Sequence, residues 1–226
     1  MDEERIIEVK RSVLAANDEA ADAFRAARRE DGTFFVDVMA SPGAGKTTLL
    51  LALVEELRAR GVEGMGVIEA DLESDVDALK IKKAGVPSVE LNTRGVCHVE
   101  MGMVEMAYEA FGPARFDWLF LENIGNLVCP AEFDTGAHLR VMLLSVPEGW
   151  DKVMKYPPMF AVVDALIVTK SDYLPLNPDF DMEALEERAR VLNPHLEIFV
   201  TSARTGEGVG ELAAWLDRRR AACLAR

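Results

Sequence analysis

The stretch Ser41-Pro42-Gly43-Ala44-Gly45-Lys46-Thr47-Thr48 decides the fold. An apolar run, Thr33 to Met39, precedes it, and an apolar, helix-favouring stretch, Leu49 to Arg60, follows. Strand, glycine-rich loop and helix in that order let backbone N–H groups converge on phosphate oxygens. Gly43 and Gly45 supply the turn, with Ala44 between them. The positive end of the following helix adds to the field. In this setting Lys46 reaches the β- and γ-phosphates, Thr47 places its hydroxyl on Mg²⁺, and Thr48 completes the loop. Where such a motif commonly begins with glycine, this chain has Ala40.

Outward from this loop, apolar runs and amphipathic stretches alternate. Strands are predicted at Phe34–Met39, Met65–Ala70, Ser88–Leu91, Trp118–Leu121, Arg140–Ser145, Ala165–Val168 and Ile198–Val200. Helices are predicted at Thr47–Arg60, Val76–Lys83, Glu100–Phe111, Met182–Leu192 and Val209–Ala222. Ahead of them, Glu3 to Ala27 carries Ile6, Ile7, Val13, Leu14, Ala21 and Phe24 near the helical period, and Asp31-Gly32 ends it. Parallel strands need crossovers, so a β-α-β-α order implies a mainly parallel sheet covered on both faces. The expected fold is α/β, the three-layer phosphate-loop NTPase fold. Residues 1–32 form an N-terminal amphipathic helix and residues 33–226 the nucleotide-binding domain. Ligands in such folds sit at the carboxyl ends of the strands.

Composition narrows the function classes. With 25 basic and 39 acidic side chains the net charge is -14, so phosphate neutralisation on DNA or RNA gains nothing and no nucleic-acid partner is expected. No apolar run approaches a membrane span, and the charged start Met1-Asp2-Glu3-Glu4 lacks the apolar stretch of a signal peptide. Cys97, Cys129 and Cys223 are 3 in number, too few and too odd for a disulfide framework. A cytoplasmic protein fits all of this.

Two later segments follow strands. Thr169-Lys170-Ser171-Asp172 resembles the guanine-specificity motif of GTPases, usually Asn-Lys-x-Asp. A carboxylate is acceptor-only, so Asp172 would accept from both the ring N–H and the exocyclic amine of guanine, a donor pair adenine lacks. The stem of Lys170 would cover the base. Ser202-Ala203-Arg204 resembles the Ser-Ala-Lys motif, with the Ala203 amide meeting the guanine carbonyl and Arg204 in place of lysine.

On the γ-phosphate side, the strand from Trp118 leads into Glu122-Asn123-Ile124-Gly125. Glu122 would hold Mg²⁺ through water, and the Gly125 amide would meet the γ-phosphate, so that losing this phosphate releases the loop. Asp71 and Asp75 follow the second strand. One of them orients the attacking water and helps with Mg²⁺; Asp71 is favoured as the base, and Asp75 is equally readable as a helix N-cap before Val76.

Cys97-His98 and Cys129 lie on different loops at sheet ends. Two soft thiolates and an imidazole suit Zn²⁺ or Ni²⁺. The competing reading is buried, inert cysteine. Three ligands leave the shell incomplete, to be filled by water, His138 or a second subunit. Cys223, on the last helix, reads as a packing residue. Neither His138 nor His195 has an evident partner.

Taken together, the residues resemble the HypB-type GTPases, which assist nickel insertion during maturation of nickel–iron hydrogenase. Beyond the segments above, Asn92 to His98, Glu122 to Asp134 and Glu148 to Phe160 carry the likeness, which runs from about Phe34 to Trp215. The resemblance implies a dimerising SIMIBI-type fold, related to signal-recognition-particle GTPases, and Mg²⁺-dependent hydrolysis of GTP. It also implies a homodimer when GTP is bound. In that dimer Cys97, His98 and Cys129 of two subunits meet and hold Ni²⁺ or Zn²⁺. Lys152 and Lys155 would lie near the nucleotide and the dimer contact. The implied partners are the hydrogenase large subunit or another nickel-maturation protein. No cysteine precedes Cys97 and the chain has 3 His, so the cysteine-rich and histidine-rich nickel-storage segments of some members have no counterpart in these residues.

Related alternatives are a urease-type accessory GTPase, which carries Cys-Pro-His rather than adjacent Cys-His, and a cobalamin-enzyme-type one, which would leave Cys97 and Cys129 without a role. A phosphotransferase kinase is the reading of a different class; no lid-like arginine cluster stands out to support it.

Overall fold

The computed structural model describes residues 3–71, 76–93 and 95–225, with side chains outside 3–11, 71 and 76–79. A 7-stranded sheet of order β3-β2-β4-β1-β5-β6-β7 forms its centre. The strands are β1 (Phe34–Ala40), β2 (Met65–Asp71), β3 (Ser88–Asn92), β4 (Trp118–Gly125), β5 (Leu139–Ser145), β6 (Ala165–Thr169) and β7 (Glu197–Val200). Every neighbouring pair is parallel. The long helices are α1 (Glu3–Glu30), α2 (Lys46–Ala59), α3 (Val76–Lys83), α4 (Met101–Ala110), α7 (Met182–Leu192) and α8 (Val209–Leu224), with short α5 (Lys152–Lys155) and α6 (Pro157–Val162) between β5 and β6.

Strand alternation sorts the core into two faces. Phe34, Val36 and Val38 of β1 join Leu50, Leu53 and Leu57 of α2 and Leu212 and Leu216 of α8. Phe35 points the other way, to Ala21 and Phe24 of α1 and Val104 of α4, while Met39 packs with Phe160 of α6 and Leu185 of α7. Strands apolar on both faces are what a parallel sheet between helical layers requires.

The predicted strands all form. One runs further than expected: β4 continues from Leu121 to Gly125, because it lies between β1 and β2 and keeps pairing as far as Ala40 opposite Gly125. Glu122 and Asn123 are therefore strand residues, buried, and not loop residues. The helices α5 and α6 are too short to show a helical period in sequence; Pro157 at the start of α6 supplies the fixed φ that a first turn accepts. Helix α1 docks on the domain. Its Phe24 ring meets Phe35 and Tyr108 edge-on at 5.9 and 5.5 Å.

Candidate nucleotide and metal sites

The chain leaves β1 at the centre of the sheet, where the strand order reverses, and enters α2 through the glycine-rich loop. Gly43 and Gly45 take φ of 77° and 96°, backbone that only glycine adopts without strain. Ala44 between them is fully buried, and its carbonyl accepts the Thr169 hydroxyl at 2.7 Å. Lys46 opens α2. Thr47 is buried and donates its hydroxyl to Glu122 Oε1 at 2.7 Å. Gly125 ends β4 against the loop: a Cβ there would stand 2.9 Å from Pro42 Cγ and 3.0 Å from Pro42 N. The glycine-rich loop, the first turn of α2 and the end of β4 thus form one unit.

A cavity of about 200 Å³ opens beside this loop. Ala44, Gly45 and Thr48 line one side; Lys170, Asp172, Ser202, Ala203 and Arg204 line the other. Lys170 has φ of 59°, the sole non-glycine residue with positive φ among those described, and its Nζ donates to Gly43 O at 2.7 Å. Such a conformation costs energy and is held by this lysine-to-loop bond. Ser202 Oγ donates to Asp172 Oδ1 at 2.7 Å, while Arg204 Nε stands 3.2 Å from Oδ2. Backbone bonds from Ser171 N to Thr201 O and from Thr201 N to Val168 O tie the two loops together. Tyr173, exposed on the cavity wall, has no counterpart in the sequence reading.

Asp71 is the last residue of β2; its side chain and all of Asp75 lie outside the described residues. Glu69, buried and in register with Glu122 on β4, adds a second acid to this edge of the site. An acid inside an apolar strand was the available signal for it. Lys152 sits 3.9 Å from Glu148 and Lys155 pairs with Asp151 at 2.5 Å, so both have local partners.

At the same end of the sheet, the loop after β3 and the loop after β4 meet. Cys97 Sγ lies 2.9 Å from Cys129 Sγ and 4.0 Å from His98 Nδ1. One ligand atom from each of the three residues falls within 4.8 Å of the others. Cys97 is exposed and Cys129 half-buried, so these are not inert core thiols. The Cys97 thiol is pushed above its ordinary value, first by its hydrogen bond to Cys129 and then by burial and the charge of that neighbour. A cation between the sulfurs would reverse this, since a coordinating thiol is deprotonated. His98 Nε2 stands 3.1 Å from Glu100 Oε1, and the ring stacks on Phe133 at 3.8 Å. A carboxylate behind the imidazole fixes ring orientation and leaves Nδ1 for a metal. Glu100 was readable in sequence only as a helix start. Asn126 holds the two loops in register by donating to Cys97 O at 2.8 Å.

His138 is not a spare ligand. Its Nδ1 accepts from Phe35 N at 3.0 Å and its Nε2 meets Arg25 O at 2.9 Å, so both nitrogens are taken. Burial first, and nearby arginines next, lower its pKa to about 4. Asp37, buried in β1, accepts from Asn123 and Thr135; burial outweighs these bonds and raises its pKa to about 6.

A parallel sheet with a glycine-rich loop at its central strand, a cavity beside that loop and an acidic strand end defines the phosphate-loop NTPase fold. The family model described as "CobW/HypB/UreG, nucleotide-binding domain" matches residues 35–200. The chain belongs to this family and, within it, to the HypB hydrogenase maturation factors. Hydrogenase maturation factor HypB of Azotobacter chroococcum is 42% identical over 224 residues, 99% of this chain and 72% of that protein. The crystal structure of HypB from Helicobacter pylori in complex with nickel superposes with a TM-score of 0.83 at 34% identity, covering 91% of this chain and 95% of that one. The signal recognition particle 54 kDa protein of Aeropyrum pernix, at 15% identity and a TM-score of 0.55 over 83% of this chain and 49% of that one, shares the fold alone.

Proposed function

We propose that this protein is a GTP-hydrolysing nickel metallochaperone that assists nickel insertion into a hydrogenase, with metal binding and dimerisation gated by the nucleotide. The observation that carries the reading is the convergence of Cys97, His98 and Cys129 a few residues beyond the strand that bears Glu122 and Gly125. A nickel complex of the Helicobacter pylori relative supports the choice of metal, with Zn²⁺ the competitor.

In this reading Gly43, Ala44, Gly45 and Lys46 cradle the phosphates and Thr48 closes the loop. Asp172, Ala203 and Lys170 hold guanine, and Arg204 gives up Asp172 Oδ2 when the base enters. Thr47, Glu122 and Asp71 hold Mg²⁺, which neutralises charge on the phosphates when bound. Asp71 orients the attacking water, and the Gly125 amide senses the γ-phosphate. Lys152 and Lys155 exchange their local carboxylates for nucleotide charge at the dimer contact. Because Gly125 abuts Pro42 and Cys129 follows a few residues later, a shift in β4's end moves a thiolate. The remaining metal ligands come from the same three residues of the second subunit.

Titration of Ni²⁺ into the protein, with a non-hydrolysable GTP analogue or with GDP and with mass followed by light scattering, tests this. Tighter binding and a dimer with the analogue are expected; equal nickel affinity in both states would remove the gating. Binding must be reciprocal, so nickel should tighten the analogue by the same factor.

A further inference from the structure

Helix α1 reaches both metal loops through one side chain. Asn17 Oδ1 accepts from the backbone N–H of Met101 at 2.9 Å, and its Nδ2 donates to the carbonyl of Asp134 at 2.8 Å. Met101 begins α4, three residues after His98; Asp134 follows Phe133, whose ring stacks on His98, and lies five residues after Cys129. One amide thus spans the segment carrying Cys97 and His98 and the segment carrying Cys129.

The junction is built closely around this bridge. Gly136, with φ of 73°, brings the second segment so near that a Cβ would stand 3.0 Å from Met101 Sδ and 3.2 Å from Ala21 O of α1. Arg25, two turns along the same helix, donates to both carboxylate oxygens of Asp134 at 2.7 and 2.6 Å and to Ala137 O at 2.9 Å. Arg25 anchors only the second segment. An amide side chain offers both the donor and the acceptor that the two backbone groups require.

We infer that Asn17 is a positioning residue of the metal site: together with Asn126, which ties the two loops nearer the ligands, it sets the spacing between the Cys97-His98 loop and the Cys129 loop, and so makes metal affinity depend on the seating of α1. The inference rests on the metal-binding reading above. Two ligand loops held at the chelating distance bind without first being ordered, whereas loops released from each other must be brought together at the cost of affinity.

The test is competition between the full-length protein and a chromophoric chelator for Ni²⁺, with thiolate-to-nickel absorption and GDP affinity read in parallel. Asn17→Ala is expected to weaken nickel by about tenfold, the low end of outer-shell effects on metal sites, with GDP affinity unchanged. Asn17→Asp keeps the acceptor for Met101 but sets a carboxylate oxygen against the Asp134 carbonyl, and should weaken nickel at least as much; it also serves if the alanine variant does not fold. Glu19→Ala, exposed on the same helix, should match wild type. In a Cys129→Ala background, where the second loop holds no ligand, Asn17→Ala should have no further effect on residual binding. Equal nickel affinity in wild type and Asn17→Ala overturns the inference while leaving the metal site standing. The same loss in both backgrounds also overturns it, since general loosening would then explain the effect. Absence of nickel binding by wild type would instead remove the metal reading itself.

Discussion

Thr47, in the first turn of α2, donates its hydroxyl to Glu122, near the end of β4, at 2.7 Å. The bond links the glycine-rich loop to the strand that leads on to Cys129. Both residues are buried, so the bond forms in a low-dielectric setting, where it is stronger than in water. Any cation that enters between them must replace this bond with its own coordination.

If Cys97 and Cys129 are the principal ligands, replacing either by serine removes a soft donor from a three-residue set. Nickel affinity should fall by about 100-fold or more, at or beyond the upper end of effects seen for outer partners alone. GDP affinity should stay as it is. Chelator competition and nucleotide titration on the same samples check both; undiminished nickel binding in the double variant would end the assignment.

Gly125→Ala would drive a methyl into Pro42, 2.9 Å from Cγ and 3.0 Å from the backbone N. Neither is the flexible end of a side chain, so the loop or β4 must shift. Overpacking of this kind costs about 1–3 kcal/mol, readable as a lower midpoint in urea. GTP hydrolysis should fall more than GDP affinity, because the displaced amide is the one assigned to the γ-phosphate. A variant with wild-type hydrolysis would remove that role from Gly125.

Asp172 accepts from Ser202 and faces Arg204 in the cavity. Replacing it by alanine should weaken GDP by about 100-fold or more, from two charge-assisted bonds worth roughly 1.5–3 kcal/mol each, and leave the binding of ADP unchanged. Loss of both nucleotides in equal measure would mean that Asp172 supports the loop instead of reading the base.

Two buried groups give opposing responses to acid. His138 has a folded pKa of about 4 against 6.5, so as pH falls between these values the unfolded chain takes a proton that the folded chain refuses, and stability is lost. Asp37, at about 6 against 3.8, is protonated first in the folded chain, so in its window acid favours folding. The Asp37→Asn variant keeps only the His138 response and should lose stability more steeply than wild type between about pH 7 and about pH 4.5. Urea midpoints across that range decide it; parallel curves would show that Asp37 does not titrate there.

Much of the fold was legible because its signals are local. Seven apolar runs became seven strands, and α3 and α7 begin and end where the periodicity placed them. The error at β4 has a simple cause: Glu122 looks like the end of an apolar run, yet Val38 and Glu69 on either side keep its backbone in the ladder, and β1 pairs again at Gly125. Glu100 escaped notice because a single acid at a helix start carries no pattern, and Glu69 because a lone acid in an apolar strand is only a weak one. His138 read as unpartnered for the same reason; its partners, Phe35 and Arg25, are more than a hundred residues away in sequence.

By itself the sequence determined the alternation of strand and helix, the glycine-rich loop at the head of α2 and the residue types suited to guanine, since periodicity, backbone freedom and donor–acceptor chemistry reside in a few adjacent residues. Tertiary structure alone decided that Cys97 and Cys129, 32 residues apart, lie side by side, and that Asn17 reaches Met101 and Asp134 across 84 and 117 residues. Such distances are set by how whole helices pack on the sheet, a sum of many small apolar contacts that no short segment encodes.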